Sequence, residues 1–244
     1  MINAPVASAT CLLMLRTSMR GSVIKASVIA RRAFLLNCSA SSLLLVAGAG
    51  SAVAQVGPAT RKVLVVGDSL SAEYGLPRGS GWVALLEARL AREGVAATVI
   101  NASISGDTTS GGRTRLPALL AQHKPNVVVL ELGGNDALRG LPLASTQGNL
   151  AQMAKAAKAA GARVLIAGMA VPPNYGRQYG KDFTALFATV AKAEGAALVP
   201  FLLAGVADGP NAENMFQADR IHPKAEAHPR MLANVWPVLR PLLR

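Results

Sequence analysis

Five short apolar runs, each followed by an amphipathic stretch, constrain this chain more than any other feature. The runs are Lys62–Gly67, Ala97–Asn101, Asn126–Leu132, Arg163–Met169 and a shorter one at Ala197–Phe201. Helical periods follow at Gly81–Glu93, Arg113–His123, Thr146–Ala160, Phe183–Glu194 and Lys224–Leu242. Runs rich in Val and Ile without alternation suit strands buried on both faces, and the intervening helices supply the crossovers that parallel strands need. The expected class is α/β with a parallel sheet. Gly94, Gly161 and Gly195 follow three of the helical periods as stop signals. Pro229 and Pro237 interrupt the last period, so that helix is expected to start late or kink. There is no internal repeat and no sign of a second domain.

The first 54 residues stand apart. Arg16, Arg20, Lys25, Arg31 and Arg32 are unaccompanied by any acidic residue, and they lead into "AFLLNCSASSLLLVAGAGSAVA". A basic region, an apolar region and small residues ending at Ala52-Val53-Ala54 read as an export signal, residues 1–54, followed by a linker at 55–61 and a domain at 62–244. Its length suggests a true start at Met19, and "RRAFLL" resembles a twin-arginine motif. A retained membrane anchor is the competing reading, but the Gly, Ser and Ala content favours cleavage. Removal would place the domain in the periplasm or outside the cell. Five of the 25 basic residues and none of the 13 acidic ones lie in this leader, which leaves the domain at about +7. Both cysteines, Cys11 and Cys38, leave with it, so neither disulfide nor thiol chemistry is expected of the domain. Ten aromatic residues in the whole chain and no nucleic-acid motif argue against a nucleic-acid partner.

In open parallel sheets, ligands sit beyond the carboxyl ends of the strands. There the chain has Gly67-Asp68-Ser69-Leu70 after the first run, "NASISGDT" with Gly106 after the second, and "LGGND" with Asn135 after the third. The loop before the last helix adds "ADRIHP", with Asp219 and His222. Alone, each has an ordinary explanation: Ser69 a helix cap, Gly106 and Asn135 turn formers, His222 a surface histidine. Together they supply what acyl transfer to a serine requires, namely a hydroxyl, a base, a carboxylate to orient that base, and donors for an oxyanion. Of three histidines, His123 ends a helix at the far edge and His228 falls in or near the last helix, which leaves His222 as the base.

The blocks "GDSLS", "SGDT", "GGND" and "DRIH" resemble, in order, those of the SGNH hydrolases, or GDSL esterases and lipases. "NASISGDTTSGG", "RLPALLAQHKP", "ELGGNDALRG" and "PPNYGRQY" are most similar to the periplasmic multifunctional thioesterase, arylesterase and lysophospholipase group of that family. The resemblance covers the chain from about Lys62 onward. It implies a flavodoxin-like sheet of order 2-1-3-4-5, a triad of Ser69, Asp219 and His222, and an oxyanion hole of Ser69 N–H, Gly106 N–H and Asn135. By the resemblance, Leu138 in the loop "ALRGLP" and Val171-Pro172 are candidates for substrate binding, the loop being as readily an ordinary strand-to-helix connection; Tyr175 in "PPNYG" reads equally as a pocket wall or as a packing residue.

Two positions depart from the group: Arg220 stands where Gly is common, and Val171-Pro172 where Leu-Pro is. The first bears on the entrance and the second on chain length. Asp68 is read as a backbone brace and Asp136 as structural. Ser71 occupies the last position of a Gly-x-Ser-x-Gly elbow, so the α/β-hydrolase superfamily is the poorer match. The expected activity is hydrolysis of esters and acyl thioesters of small molecules by a monomer, with neither metal nor organic cofactor. A carbohydrate acetylesterase with the same triad and a non-catalytic exported binding protein are the alternatives.

Overall fold

The structure, a computed structural model, describes residues 60–244. The export signal expected at 1–54, and all of the 55–61 linker but its last two residues, lie outside the described residues.

Five strands run in the chain order β1 (Arg61–Gly67), β2 (Ala97–Asn101), β3 (Val127–Glu131), β4 (Arg163–Ala167) and β5 (Ala197–Val199). All neighbours pair in parallel, in the spatial order β2-β1-β3-β4-β5, which is the order the resemblance implied. The helices are α1 (Trp82–Arg92), α2 (Thr109–His123), α3 (Gly134–Leu138), α4 (Leu143–Ala159), α5 (Arg177–Glu194) and α6 (His228–Leu239).

Strand periodicity divides the core in two. Leu64, Val66, Val128, Leu130, Val164 and Ile166 face one way, onto α2, α4 and α5. Val63, Val65, Val127, Val129 and Leu165 face the other way, onto α1 and α6. Every residue of β3 is buried, as expected for the central strand of a doubly covered sheet. Each fully buried large side chain contributes on the order of 2 kcal/mol from area removed from water, so the two layers together fix which strand ends meet.

Several helix boundaries differ from the sequence expectation. The helix expected at Arg113 begins at Thr109, because the Thr108 hydroxyl accepts the Gly111 N–H at 3.2 Å and caps a turn that "TSGG" does not advertise. Helix α5 begins at Arg177 and α4 at Leu143, each ahead of its first strongly apolar period. The last helix starts late, at His228, with Pro229 in its first turn, where a missing N–H costs little. Short 3-10 turns at Ala225–Ala227 and Arg240–Leu243 flank it. Helix α3 has no counterpart in the sequence reading; five residues are too few to show a period.

Candidate active site

The carboxyl ends of the five strands open onto one edge, and the loops there carry the polar turns. Ser69 lies two residues past β1, Gly106 past β2, Asn135 in the first turn of α3 just past β3, and Val171 past β4. Asp219 and His222 lie in the loop between β5 and α6. That loop folds back as a hairpin closed by an antiparallel bridge between Phe216 and Pro223. The Gln217 N–H donates to the His222 carbonyl at 2.8 Å, and the Lys224 N–H donates to the Met215 carbonyl at 2.8 Å.

The fold brings Ser69, Asp219 and His222 into a line. His222 Nε2 lies 2.9 Å from Ser69 Oγ, and His222 Nδ1 lies 2.6 Å from Asp219 Oδ2. Asp219 Oδ1 accepts the backbone N–H groups of Ile221 at 2.9 Å and His222 at 3.0 Å, so the carboxylate is saturated locally. Desolvation pushes the Asp219 carboxyl upward, but the N–H of His222, its ring and the N–H of Ile221 outweigh it and hold the group down at about 2. An imidazole between a hydroxyl and a permanently ionised carboxylate is fixed in one tautomer and can take the hydroxyl proton.

Ser69, Gly106 and Asn135 line one cavity and bring three donors to it. The backbone N–H groups of Ser69 and Gly106 have no partner among the described residues. Asn135 Nδ2 donates to Asp68 Oδ2 at 3.1 Å, which leaves its second hydrogen available. Gly106 adopts φ +79°, a left-handed conformation that a side chain would strain. Its carbonyl accepts Arg139 Nη2 at 2.7 Å. Next to it Asp107 is ion-paired to Arg115 at 2.8 Å, and Arg115 Nη2 reaches the Gly67 carbonyl at 3.4 Å, so the β1 and β2 loops are tied together.

Beneath the serine turn lies a polar layer. Glu131, the last residue of β3, is fully buried. Its Oε2 accepts the Ser71 hydroxyl at 2.6 Å and the Asp68 N–H at 3.3 Å, while Ser71 Oγ accepts Trp82 Nε1 at 3.2 Å. Gly67 is obligatory there, because a Cβ would stand 2.6 Å from Glu131 Oε2 and 2.8 Å from Ser71 Oγ. Burial raises Glu131 well above the ordinary carboxyl range, and the Asp68 charge adds to it against the Ser71 hydrogen bond. Burial likewise raises Asp68 to about 6, against the Leu70 N–H and the Asn135 amide. Asp136 is structural, accepting the Thr109 N–H at 2.8 Å and the Thr146 hydroxyl at 3.2 Å.

Beside Ser69 a cavity of about 740 Å³ opens, with Leu70, Leu138, Met169, Val171, Pro172 and Phe216 among its walls. Leu138 is half-exposed at its rim. Tyr175 is not among the lining residues; its ring stacks on Tyr179 at 6.1 Å, in an aromatic row that continues to Phe183 and Phe187. The sequence reading passed over Tyr74, whose ring lies 4.3 Å from that of His222. It also passed over Gln217, whose Nε2 donates to the carbonyls of Tyr74 at 3.0 Å and Pro223 at 3.1 Å and so joins the serine loop to the histidine loop. For Glu131 the available signal is a lone acid at the end of the apolar run before "LGGND".

Residues 65–230 match the model of the GDSL-like lipase/acylhydrolase family. The chain belongs to that family. Esterase TesA of Pseudomonas aeruginosa is 56% identical over 185 residues, 76% of this chain and 90% of that protein. Thioesterase 1/protease 1/lysophospholipase L1 of Escherichia coli is 41% identical over 181 residues, 74% of this chain and 84% of that protein. The solved structure of the psychrotrophic esterase EstA from Pseudoalteromonas sp., inhibited by monoethylphosphonate, is 38% identical with a TM-score of 0.70, covering 75% of this chain and 98% of that one. Like its GDSL-family relatives, the chain is a hydrolase of ester bonds.

Proposed function

We propose that this chain hydrolyses carboxylic esters and acyl thioesters through an acyl-enzyme on Ser69. One observation carries the assignment: a hydroxyl, an imidazole and a carboxylate in hydrogen-bonded sequence, 2.9 and 2.6 Å apart, at the lip of an apolar cavity. His222 takes the Ser69 proton as Oγ adds to the carbonyl, and Asp219 stabilises the imidazolium. The N–H groups of Ser69 and Gly106 and the Asn135 amide receive the developing oxyanion, each worth roughly 3 kcal/mol of barrier. The imidazolium then protonates the departing alcohol or thiol, and water repeats the addition to release the acid.

The cavity favours acyl chains longer than acetyl, since 740 Å³ bounded by Leu, Val, Met and Phe side chains suits an alkyl chain. The decisive experiment compares wild type and Ser69→Ala on p-nitrophenyl esters of graded length and a matching acyl-CoA series. Turnover is expected to fall by about 10⁴-fold or more in the variant, and wild-type activity should rise beyond acetyl. A profile confined to acetyl esters would replace this reading with an acetylesterase, and a Ser69→Ala enzyme of full activity would remove the serine from the mechanism. The basic, acid-free leader supports export to the periplasm or beyond, which fractionation of producing cells tests. The domain is proposed to act as a monomer, for which sedimentation is the check.

A further inference from the structure

Arg220 sits between the two loop members of the triad and adopts φ +57°. A non-glycine residue in the left-handed region is held there by its surroundings at a cost in stability, and such outliers gather at functional sites. Its backbone is used: the N–H closes a turn onto the Gln217 carbonyl at 2.9 Å. Its side chain is exposed, lines the cavity mouth, and has no ion-pair or hydrogen-bond partner among the described residues. No carboxylate among the described residues pairs with it. Asp219 is saturated by His222 and two N–H groups, Asp68 is buried on Leu70 and Asn135, and Asp208, which also lines the cavity, accepts the Gly205 N–H at 2.5 Å. On the Gly106 side, Arg139 adds a second exposed guanidinium, bonded only to a neutral carbonyl.

With the acyl chain in the apolar cavity and the carbonyl at Ser69, the leaving group must emerge past His222, which protonates it, and so beside Arg220. We infer that Arg220 forms a leaving-group subsite that selects phosphate-bearing leaving groups over neutral ones, a refinement resting on the ester-hydrolase reading above. A guanidinium presents a planar fork of donors that matches phosphate oxygens in pairs. Thioesters of a phosphorylated thiol carrier and lysophospholipids share this chemistry.

The test measures a ratio of kcat/KM values at equal acyl chain, on two arms: acyl-CoA against the acyl thioester of N-acetylcysteamine, and 1-acyl-lysophosphatidylglycerol against the monoacylglycerol. In wild type the anionic-to-neutral ratio should fall with added salt. Arg220→Gly should lower it about fivefold and weaken its salt dependence, whereas Arg220→Lys should keep most of both. The melting temperature of Arg220→Gly should hold or rise, because glycine relieves the left-handed strain; a structural arginine would lower it. A response on one arm alone assigns the source of the phosphate. An unchanged ratio and salt response in Arg220→Gly overturns the subsite while leaving the hydrolase reading intact. A wild type inert on both members of both pairs overturns the hydrolase reading itself.

Discussion

Two sets of carboxyl groups flank the serine turn and are handled in opposite ways. Asp219 stands in an exposed loop, yet its oxygens take an imidazole and two backbone N–H groups, and it is held at about 2. Asp68 and Glu131 lie buried beneath the turn, where burial raises both. Hydrogen bonding to the charged form wins in the first set and desolvation wins in the second. The difference matches the work each set can do. An ionised carboxylate stabilises an imidazolium, while a buried carboxyl whose charge is disfavoured, Glu131 above all, can brace a turn without placing bare charge in the core. Proximity to the serine therefore does not decide which acid holds the imidazole: Asp68 adjoins Ser69 in sequence, and Asp219, which bonds His222 Nδ1, is 150 residues away.

Exchanging the acid on each side should break this contrast most visibly. Asp219→Asn retains the shape but removes the charge and favours the wrong imidazole tautomer, so kcat should fall by about 10³-fold or more with KM little altered. Steady-state kinetics on a p-nitrophenyl ester read this directly, and a loss under tenfold would mean that the loop acid is dispensable. Glu131→Ala should act on stability instead. It orphans the Ser71 hydroxyl and the Asp68 N–H in a buried site, at about 3 kcal/mol. Glu131→Gln should cost about 1 kcal/mol, since an amide resembles the neutral carboxyl that burial favours. Chemical denaturation of the two variants separates these values; equal losses would mean that Glu131 is ionised in the folded state.

The sheet was legible because its signal is repeated. Five apolar runs with glycine stops leave few ways to build a parallel sheet, and Val63 to Val66 or Val127 to Leu130 are apolar at every position because both faces are covered. The polar turns were legible as candidates because strand ends converge on one edge by topology alone. Helix α3 and the first turn of α2 were hidden because they are held tertiarily: Asp136 receives the Thr109 N–H from the facing helix, and neither "GNDAL" nor "TSGG" has helical periodicity. Glu131, Gln217 and Tyr74 were hidden for a related reason. Their roles come from contacts across 60 residues or more of sequence, to Ser71, Tyr74 and His222 respectively, and no local pattern encodes a partner at that distance. Ser71 shows the reverse. It was the letter that spoiled one motif, and in the fold its hydroxyl joins Glu131 to Trp82.

The smallest expected effect is the most direct test of the buried set, because it reads a folded-state carboxyl through stability. Asp68 sits at about 6 when folded against 3.8 for the free group. Its folded pKa is raised, so the folded state holds the proton more tightly, and the stability this confers is greatest below 3.8 and is lost as pH rises through 6. Acidification from pH 7 to 5 should therefore add about 1 kcal/mol through Asp68, some 2–4 °C in melting temperature. His228 works against this. It is buried, its Nδ1 accepts the Trp82 N–H at 3.0 Å, and burial lowers its pKa, so the unfolded chain takes up that proton first and stability falls with acid. Asp219 is silent in this window, since its contribution is lost only as pH falls from 3.8 toward 2. The informative quantity is thus the difference between wild type and Asp68→Asn, which keeps His228 and Glu131 but has no carboxyl at position 68. Across buffers from pH 5 to 7 the difference in melting temperature between wild type and variant should change steadily in favour of wild type as the pH falls. Parallel curves would mean that the Asp68 carboxyl titrates alike in both states, and the contrast between the exposed and buried acids would then rest on Glu131 alone.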